Sequence, residues 1–348
     1  MKKRNGFVIV LLVTVLTTFF SGCKRESDRI VNTAETEIVD FTNVTPTMQE
    51  DGTKDVYVIT KAHNSQYWQE LCDGAIQAGE DLGCNIFVGG TLNELDVEGQ
   101  LQLLANALDA GADAILLAPI DSNNVYEPIR EIMDEGIPVV LVDTIMNSSD
   151  FDVCFMTDNM QAGRMVARDM LEKLKEAGNS EEETLKVGIQ IGSRTSQTII
   201  ERVAGFYEYW SNYAPEKWTI LEEIYCNDGS VSRAKEIAAQ ILEQYPDLKG
   251  VIGCNNGSTV GLAMQLKEAE RKDVVLVGFD FSDEVAELIA DEEYKVSTVV
   301  QQQYEMGYCG VEAALKLISG ERLQYKFVDT RVELVDFSNV EQFRTSVK

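Results

Sequence analysis

Polar and aromatic side chains gather just after the apolar runs of this chain. After VYVIT (56–60) comes KAHNSQYW, with Asn64, Ser65, Tyr67 and Trp68; after PVVLV (138–142) comes Asp143; after the run around Cys154 come Asp158 and Asn159. Arg202 lies in IIERVAGF, the pair Asn255 and Asn256 in VIGCNNGS, Asp280 in VGFDFS and Gln301 in VSTVVQQQ. Such a set suits a polyhydroxylated ligand. Carboxylates and amides each engage neighbouring hydroxyls, a guanidinium offers a fork of donors, and an aromatic face covers the C–H side of a sugar ring. Each residue also has a plainer reading. Tyr67 and Trp68 could be core aromatics, Arg202 could pair with Glu201 on a surface, Asn159 could cap a helix, and the two aspartates could cap turns.

Signatures of catalysis are scarce. His63 is the only histidine, which removes HExxH and two-histidine metal sites and leaves little for a Ser-His-Asp device. No GxGxxG, Walker-A, GxSxG or CxxC pattern occurs. No cofactor or metal is expected, and no spacing among the 58 carboxylates singles out an acid pair.

The elements that must position these residues show in the hydropathy pattern. From Asp55 onward, short apolar runs (VYVIT, NIFVG, AILLA, PVVLV, VGIQI, VIGC, VVLVGF, VSTVV) alternate with stretches of helical period, such as 67–82, 96–110, 125–135, 159–176, 196–213, 230–244 and 304–319. Strands alternating with helices of this length predict an α/β fold with parallel sheets wound by right-handed crossovers. A weak internal repeat points to two lobes of one design: residues 114–143 and 251–280 each read strand, turn, helix, strand, and each closes on an aspartate. Asp143 and Asp280 are therefore equivalent positions at strand carboxyl ends, where open α/β sheets place their ligands.

Composition narrows the partners. Lys2, Lys3 and Arg4 precede a mostly apolar run from Phe7 to Phe20, and Ser21 and Gly22 lead into Cys23. That pattern predicts an export signal over residues 1–22; the run is shorter than the ~20 apolar residues that span a bilayer. Without it, 27 Lys and Arg stand against 58 Asp and Glu, a net of −31, so nucleic acid, whose phosphates demand basic partners, is not expected as a ligand. Residues 23–54 are polar and lack an apolar period, and so read as a tether. The six cysteines after Cys23 read as buried thiols rather than a disulfide framework.

Two resemblances follow. FFSGC resembles the lipobox of bacterial lipoproteins, which implies acylation of Cys23 and anchoring on the outer face of the cell membrane. From Asp55 to about Phe343 the ordered series NSQYWQELCDGA, GADAILLAPIDS, GIPVVLVDT, TDNMQAGRMVA, ERVAGF, GCNNGS, LVGFD and STVVQ resembles the periplasmic sugar-binding proteins of the ribose and galactose type. The resemblance implies two Rossmann-like lobes, a hinge of three chain crossings near residues 157, 301 and 330, and a ligand cleft between lobes. The lobes are expected over 55–157 with 302–330 and over 158–301 with 331–348. It implies ligand contacts at Ser65, Tyr67, Trp68, Asp143, Asn159, Arg202, Asn255, Asp280 and Gln301, and a monomer that hands a monosaccharide to an ABC permease or, alternatively, docks on a sensor kinase. Thr144 stands where ribose binders carry arginine, and Asp228 and Gly229 stand where they carry an aromatic, which argues against ribose itself.

Overall fold

The computed structural model describes residues 38–45, 52–63 and 65–346; the expected export signal, Cys23 and Asn64 lie outside these. Two mostly parallel sheets, each covered by helices on both faces, form two lobes of one unit spanning residues 36–348. In chain order the first lobe runs β1 (Ile38–Asn43), β2 (Asp55–Thr60), α1 (Gln66–Leu82), β3 (Asn85–Thr91), α2 (Val97–Ala110), β4 (Ala114–Leu117), α3 (Tyr126–Asp134), β5 (Val139–Val142) and β6 (Val153–Met156). The second runs α4 (Asn159–Glu176), β7 (Leu185–Ile191), α5 (Gln197–Tyr213), β8 (Trp218–Cys226), α6 (Val231–Gln244), β9 (Gly250–Gly253), α7 (Asn256–Glu268), β10 (Val275–Phe279), α8 (Asp283–Ile289) and β11 (Val296–Gln301). The chain then returns through α9 (Gln303–Ile318) to β12 (Phe327–Asp329), at the edge of the first sheet, and crosses to β13 (Val332–Val335) and α10 (Val340–Ser346).

The apolar runs of the sequence are strands buried on both sides, as parallel sheets require. In β4, Ala114 and Leu116 pack under α1 and α9, while Ile115 and Leu117 pack under α2 and α3; β5 alternates likewise through Val140 and Val142 against Val139 and Leu141. The second sheet repeats this plan. Val277 and Phe279 of β10 face α4 and α5, and Leu276 faces α7 and α8.

One helix pair per lobe approaches unusually closely. On α1, a Cβ added at Gly74 would collide with the carbonyl of Tyr304, and one at Gly307 of α9 with the carbonyl of Leu71. On α4, a Cβ at Gly163 would collide with the carbonyl of Arg202, and one at Gly205 of α5 with that of Met160. These reciprocal contacts fix α1 and α5, the helices that carry Tyr67, Trp68 and Arg202.

The tether expected over residues 23–54 is corrected at residues 38–43. Residues 38–43 form β1, which pairs antiparallel with β3 and covers what would otherwise be an open sheet edge. Its sequence, IVDFTN, hides this because only one side is apolar. Phe41 packs edge-on against Tyr57 at 4.6 Å between ring centroids, in room left by Gly89. Thr45 continues the seam, its hydroxyl accepting from the Ile86 amide at 2.8 Å. The six cysteines of the described residues are free, with Cys84, Cys154 and Cys254 buried. No helix among the described residues is long and apolar enough to cross a membrane.

Because Phe41 is only half-buried, Phe41→Ala should cost about 2 kcal/mol, below the ~3–5 of a fully buried ring. Urea unfolding of the mature chain measures it; an unchanged midpoint would mean that β1 adds nothing to the domain.

Candidate functional site

The carboxyl ends of both sheets face a cleft of about 470 Å³ between the lobes. Of the nine residues expected to touch ligand, Ser65, Tyr67, Trp68, Asp143, Arg202, Asn255, Asp280 and Gln301 line it. Asn159 does not. Its Oδ1 accepts from Arg202 Nε at 2.8 Å and its Nδ2 donates to the Thr157 carbonyl at 2.9 Å, so it stands behind the guanidinium and orients it. The helix cap belongs to Asp158, whose carboxylate accepts from the Gln161 amide at 2.9 Å.

The two aspartates are equivalent in backbone as well as sequence. Each follows a central strand (β5, β10), and each amide still pairs with the next strand, Asp143 with the Phe155 carbonyl at 2.9 Å and Asp280 with that of Val299 at 2.8 Å. Each then enters the left-handed region, at φ 64° and φ 70°. Among L residues, aspartate and asparagine tolerate this conformation best.

Their electrostatics differ. Asp143 Oδ1 accepts from the Tyr67 hydroxyl at 2.6 Å, and Oδ2 accepts from Lys61 Nζ at 2.7 Å and the Thr144 hydroxyl at 2.6 Å. Burial alone would raise its pKa, but the Lys61 ammonium and these hydrogen bonds outweigh it and hold the carboxyl below its ordinary value. Asp280 accepts one side-chain hydrogen bond, from Gln301 Nε2 at 2.8 Å. Burial pushes its carboxyl up to about 6, against the Arg202 charge and the Gln301 bond, with Asp143 and Glu94 adding to the rise. Burial and the adjacent Asp143 push the Tyr67 phenol well above its usual range.

Arg202 is 3 % exposed. Its Nη1 donates to the Cys254 carbonyl at 2.9 Å and the guanidinium lies 4.1 Å over the Phe279 ring, yet its Nη2 is buried with no partner among the described residues. Such an orphan donor is costly, and a ligand oxygen would satisfy it. Asn255 caps α7 through its oxygen, which accepts from the Ser258 amide at 3.3 Å. Ser65 caps α1 similarly, accepting from the Trp68 amide at 3.4 Å. Trp68 is both core and cleft wall: it is 2 % exposed, and its Nε1 donates to Glu94 at 2.8 Å.

Sequence reasoning missed Lys61, Glu94, Ser193, Ser196, Thr198 and Ser230, all of which line the cleft. Lys61 follows β2 directly, so the strand-end rule that found Asp143 applies to it equally. Thr198 meets Thr144 across the cleft with hydroxyl oxygens 2.7 Å apart, and the Gln197 amide donates to Ser122 at 3.4 Å, so the lobes are in contact. Among the described residues no group of acids, cysteines and histidine could hold a metal ion.

Comparison with known proteins agrees with this architecture. The model of the periplasmic binding protein domain matches residues 56–322. A D-apiose import binding protein of Actinobacillus succinogenes is 27 % identical over 264 residues, covering 76 % of this chain and 81 % of its own. A D-ribose/D-allose-binding protein of Pseudomonas aeruginosa is 25 % identical over 292 residues, covering 80 % and 88 %. Among solved structures, a carbohydrate transporter solute-binding protein from Agrobacterium radiobacter, in complex with D-arabinose, superposes with a TM-score of 0.79 at 26 % identity, covering 85 % of this chain and 99 % of that one. An ABC transporter solute-binding protein from Agrobacterium vitis with bound D-fucose gives 0.76 at 29 %, covering 84 % and 99 %. The match over residues 56–322 takes in both lobes and the cleft between them, and the chain belongs to the periplasmic binding protein domain family.

Proposed function

We propose that the chain captures a monosaccharide or related polyol outside the cell membrane, held there by an acyl group on Cys23, and delivers it as a monomer to an ABC importer. It is a binding protein, not an enzyme. The observation that carries the ligand class is the open valence at Arg202 Nη2 in a cleft that Asp280 also lines, a donor and an acceptor matched to sugar hydroxyls. The apiose and ribose/allose relatives support a sugar, and the import role of the apiose protein together with the ABC transporter solute-binding structure supports the transporter. We take the lobes as 55–157 with 302–330 and 158–301 with 331–348, with β1 added to the first.

A thermal-shift screen of D-apiose, D-ribose, D-allose, D-arabinose and D-fucose on the mature chain tests this reading. A sugar at 100 times its Kd should stabilise the fold by about 2.7 kcal/mol. Asp280→Ala should remove most of that gain; a variant stabilised as strongly as the parent would displace Asp280 from the site, and turnover of any sugar would overturn the binding role.

The raised Asp280 carboxyl makes a second, signed prediction. Below pH ~4 both folded and unfolded chains hold its proton; between ~4 and ~6 only the folded chain does, so stability falls as pH rises, and above ~6 the full cost remains. That cost is about 3 kcal/mol for a shift from 3.8 to about 6. Glu70, which burial also raises to about 6, contributes in the same sense, so the comparison must be with a variant. Without sugar, the stability of Asp280→Asn relative to the parent should rise by about that 3 kcal/mol from pH 4 to pH 7.5 in urea titrations. A flat difference would mean an ordinary carboxyl. Since hydroxyl donors favour the ionised form, sugar affinity should weaken as pH falls below about 6.

Cys23→Ser should leave sugar binding intact and move the protein from the membrane to the soluble fraction. Continued membrane retention would rule out the lipid anchor.

A further inference from the structure

Strand β10 runs on to Phe279, past its pairing with β9, which ends at Val277 against Ile252. The Val275 amide pairs with the Lys249 carbonyl on the β9 side and the Leu276 amide with the Lys295 carbonyl on the β11 side. By that alternation the amide and carbonyl of Phe279 point to where β9 has already turned into α7. Buried there, they need a partner from elsewhere. A side chain stands in for the missing strand: the Thr259 hydroxyl, fully buried on α7, accepts from the Phe279 amide at 3.0 Å and donates to the Phe279 carbonyl at 2.9 Å. The Asn255 carbonyl is about as near, at 3.0 Å, but already accepts from the Thr259 amide. Gly253 and Gly278 make the room, since a Cβ on either would collide with Thr259. The next residue is Asp280, whose own amide pairs with the Val299 carbonyl and whose carbonyl accepts from the Thr298 hydroxyl at 2.7 Å.

Ser122 stands as far before Asp143 as Thr259 before Asp280, and it too is buried. Its hydroxyl instead accepts from the Gln197 amide of the other lobe at 3.4 Å, and the Val142 carbonyl is taken by the Thr144 amide at 2.6 Å. The same position thus serves a different contact in each lobe.

We infer that Thr259 is a positioning residue of the sugar site: its hydroxyl fixes the peptide from which Asp280 enters its left-handed turn, and so aims a carboxylate at a ligand that Thr259 itself does not touch. This rests on the sugar reading above and deepens it. Thr259→Val keeps the shape and removes the hydroxyl, so the Phe279 amide and carbonyl turn toward water in the cleft and carry Asp280 with them. Thr259→Ser keeps the hydroxyl.

Two measurements on the mature chain separate positioning from support of the fold. In titration calorimetry at pH 7.5 with whichever of the five sugars named above binds, the Val variant should bind roughly 10–100-fold weaker, the range of a hydrogen bond to a charged group, and the Ser variant within about twofold of the parent. Without sugar, carbon-13 NMR of the Asp280 carboxyl, assigned with Asp280→Asn, should show its midpoint fall from about 6 toward the ordinary 3.8 in the Val variant, as the turned carboxyl gains water, and stay near 6 in the Ser variant. Arg202, Asp143, Glu94, Tyr67 and Glu70 face that carboxyl in all three proteins, so they do not account for a difference. Parent-like affinity or an unchanged midpoint in the Val variant, or a Ser variant as weak as the Val variant, would overturn the role of Thr259. So would a Val variant that does not fold beside a Ser variant that does, since the hydroxyl would then only hold the fold together. A parent that binds none of the sugars would overturn the sugar reading instead, and the NMR midpoints would still decide what positions Asp280.

Discussion

Four charged side chains leave water together where the two sheets meet: Lys61, Asp143, Arg202 and Asp280, each 7 % exposed or less. Ions in such surroundings cost several kcal/mol each unless partnered, and the surrounding structure is arranged around that requirement. The first lobe meets it internally, by closing Lys61, Tyr67 and Thr144 onto Asp143. The second meets it in part. Asn159, the Cys254 carbonyl and the Phe279 ring hold Arg202 on three sides, and one nitrogen stays open. The two halves of the cleft thus differ in kind: the first pairs its ammonium and carboxylate directly, and the second leaves a buried Arg202 nitrogen without a partner among the described residues.

Holding these groups in place is the task of the backbone. The glycine pairs between α1 and α9 and between α4 and α5 let helix backbones touch, so Tyr67, Trp68 and Arg202 are set by main-chain packing rather than by adjustable side chains. The left-handed turns after β5 and β10 do the same for the two aspartates. Near-identical devices in both lobes explain how a weak sequence repeat marks a strong structural one.

The central strands were legible because burial on both faces makes them unbroken apolar runs, and the two aspartates were legible because they end such runs at equal spacing. What escaped notice lies at edges. β1 and β8 are edge strands with acids among their apolar residues, β12 has three residues and β13 four, and α8 has seven, too short for a helical period to show. Lys61 escaped because a lysine after a strand ordinarily reaches water, and only the fold brings Asp143, 82 positions away, to meet it. Asn159 was found for its type and position, but its place behind Arg202 depends on the packing of α4 on α5, which no local pattern encodes.

Strand β1 also bears on the anchor proposed at Cys23. Fourteen residues, Lys24 to Glu37, separate Cys23 from Ile38, where the described part of the first sheet begins. At about 3.5 Å per residue, even full extension spans no more than ~50 Å. With the proposed acyl group on Cys23, a domain held within a hemisphere of that radius would meet a membrane partner at an effective concentration on the order of millimolar. Such an anchor would enter the fold through the first lobe, and the lobe that carries Arg202 would lie farther along the chain from it.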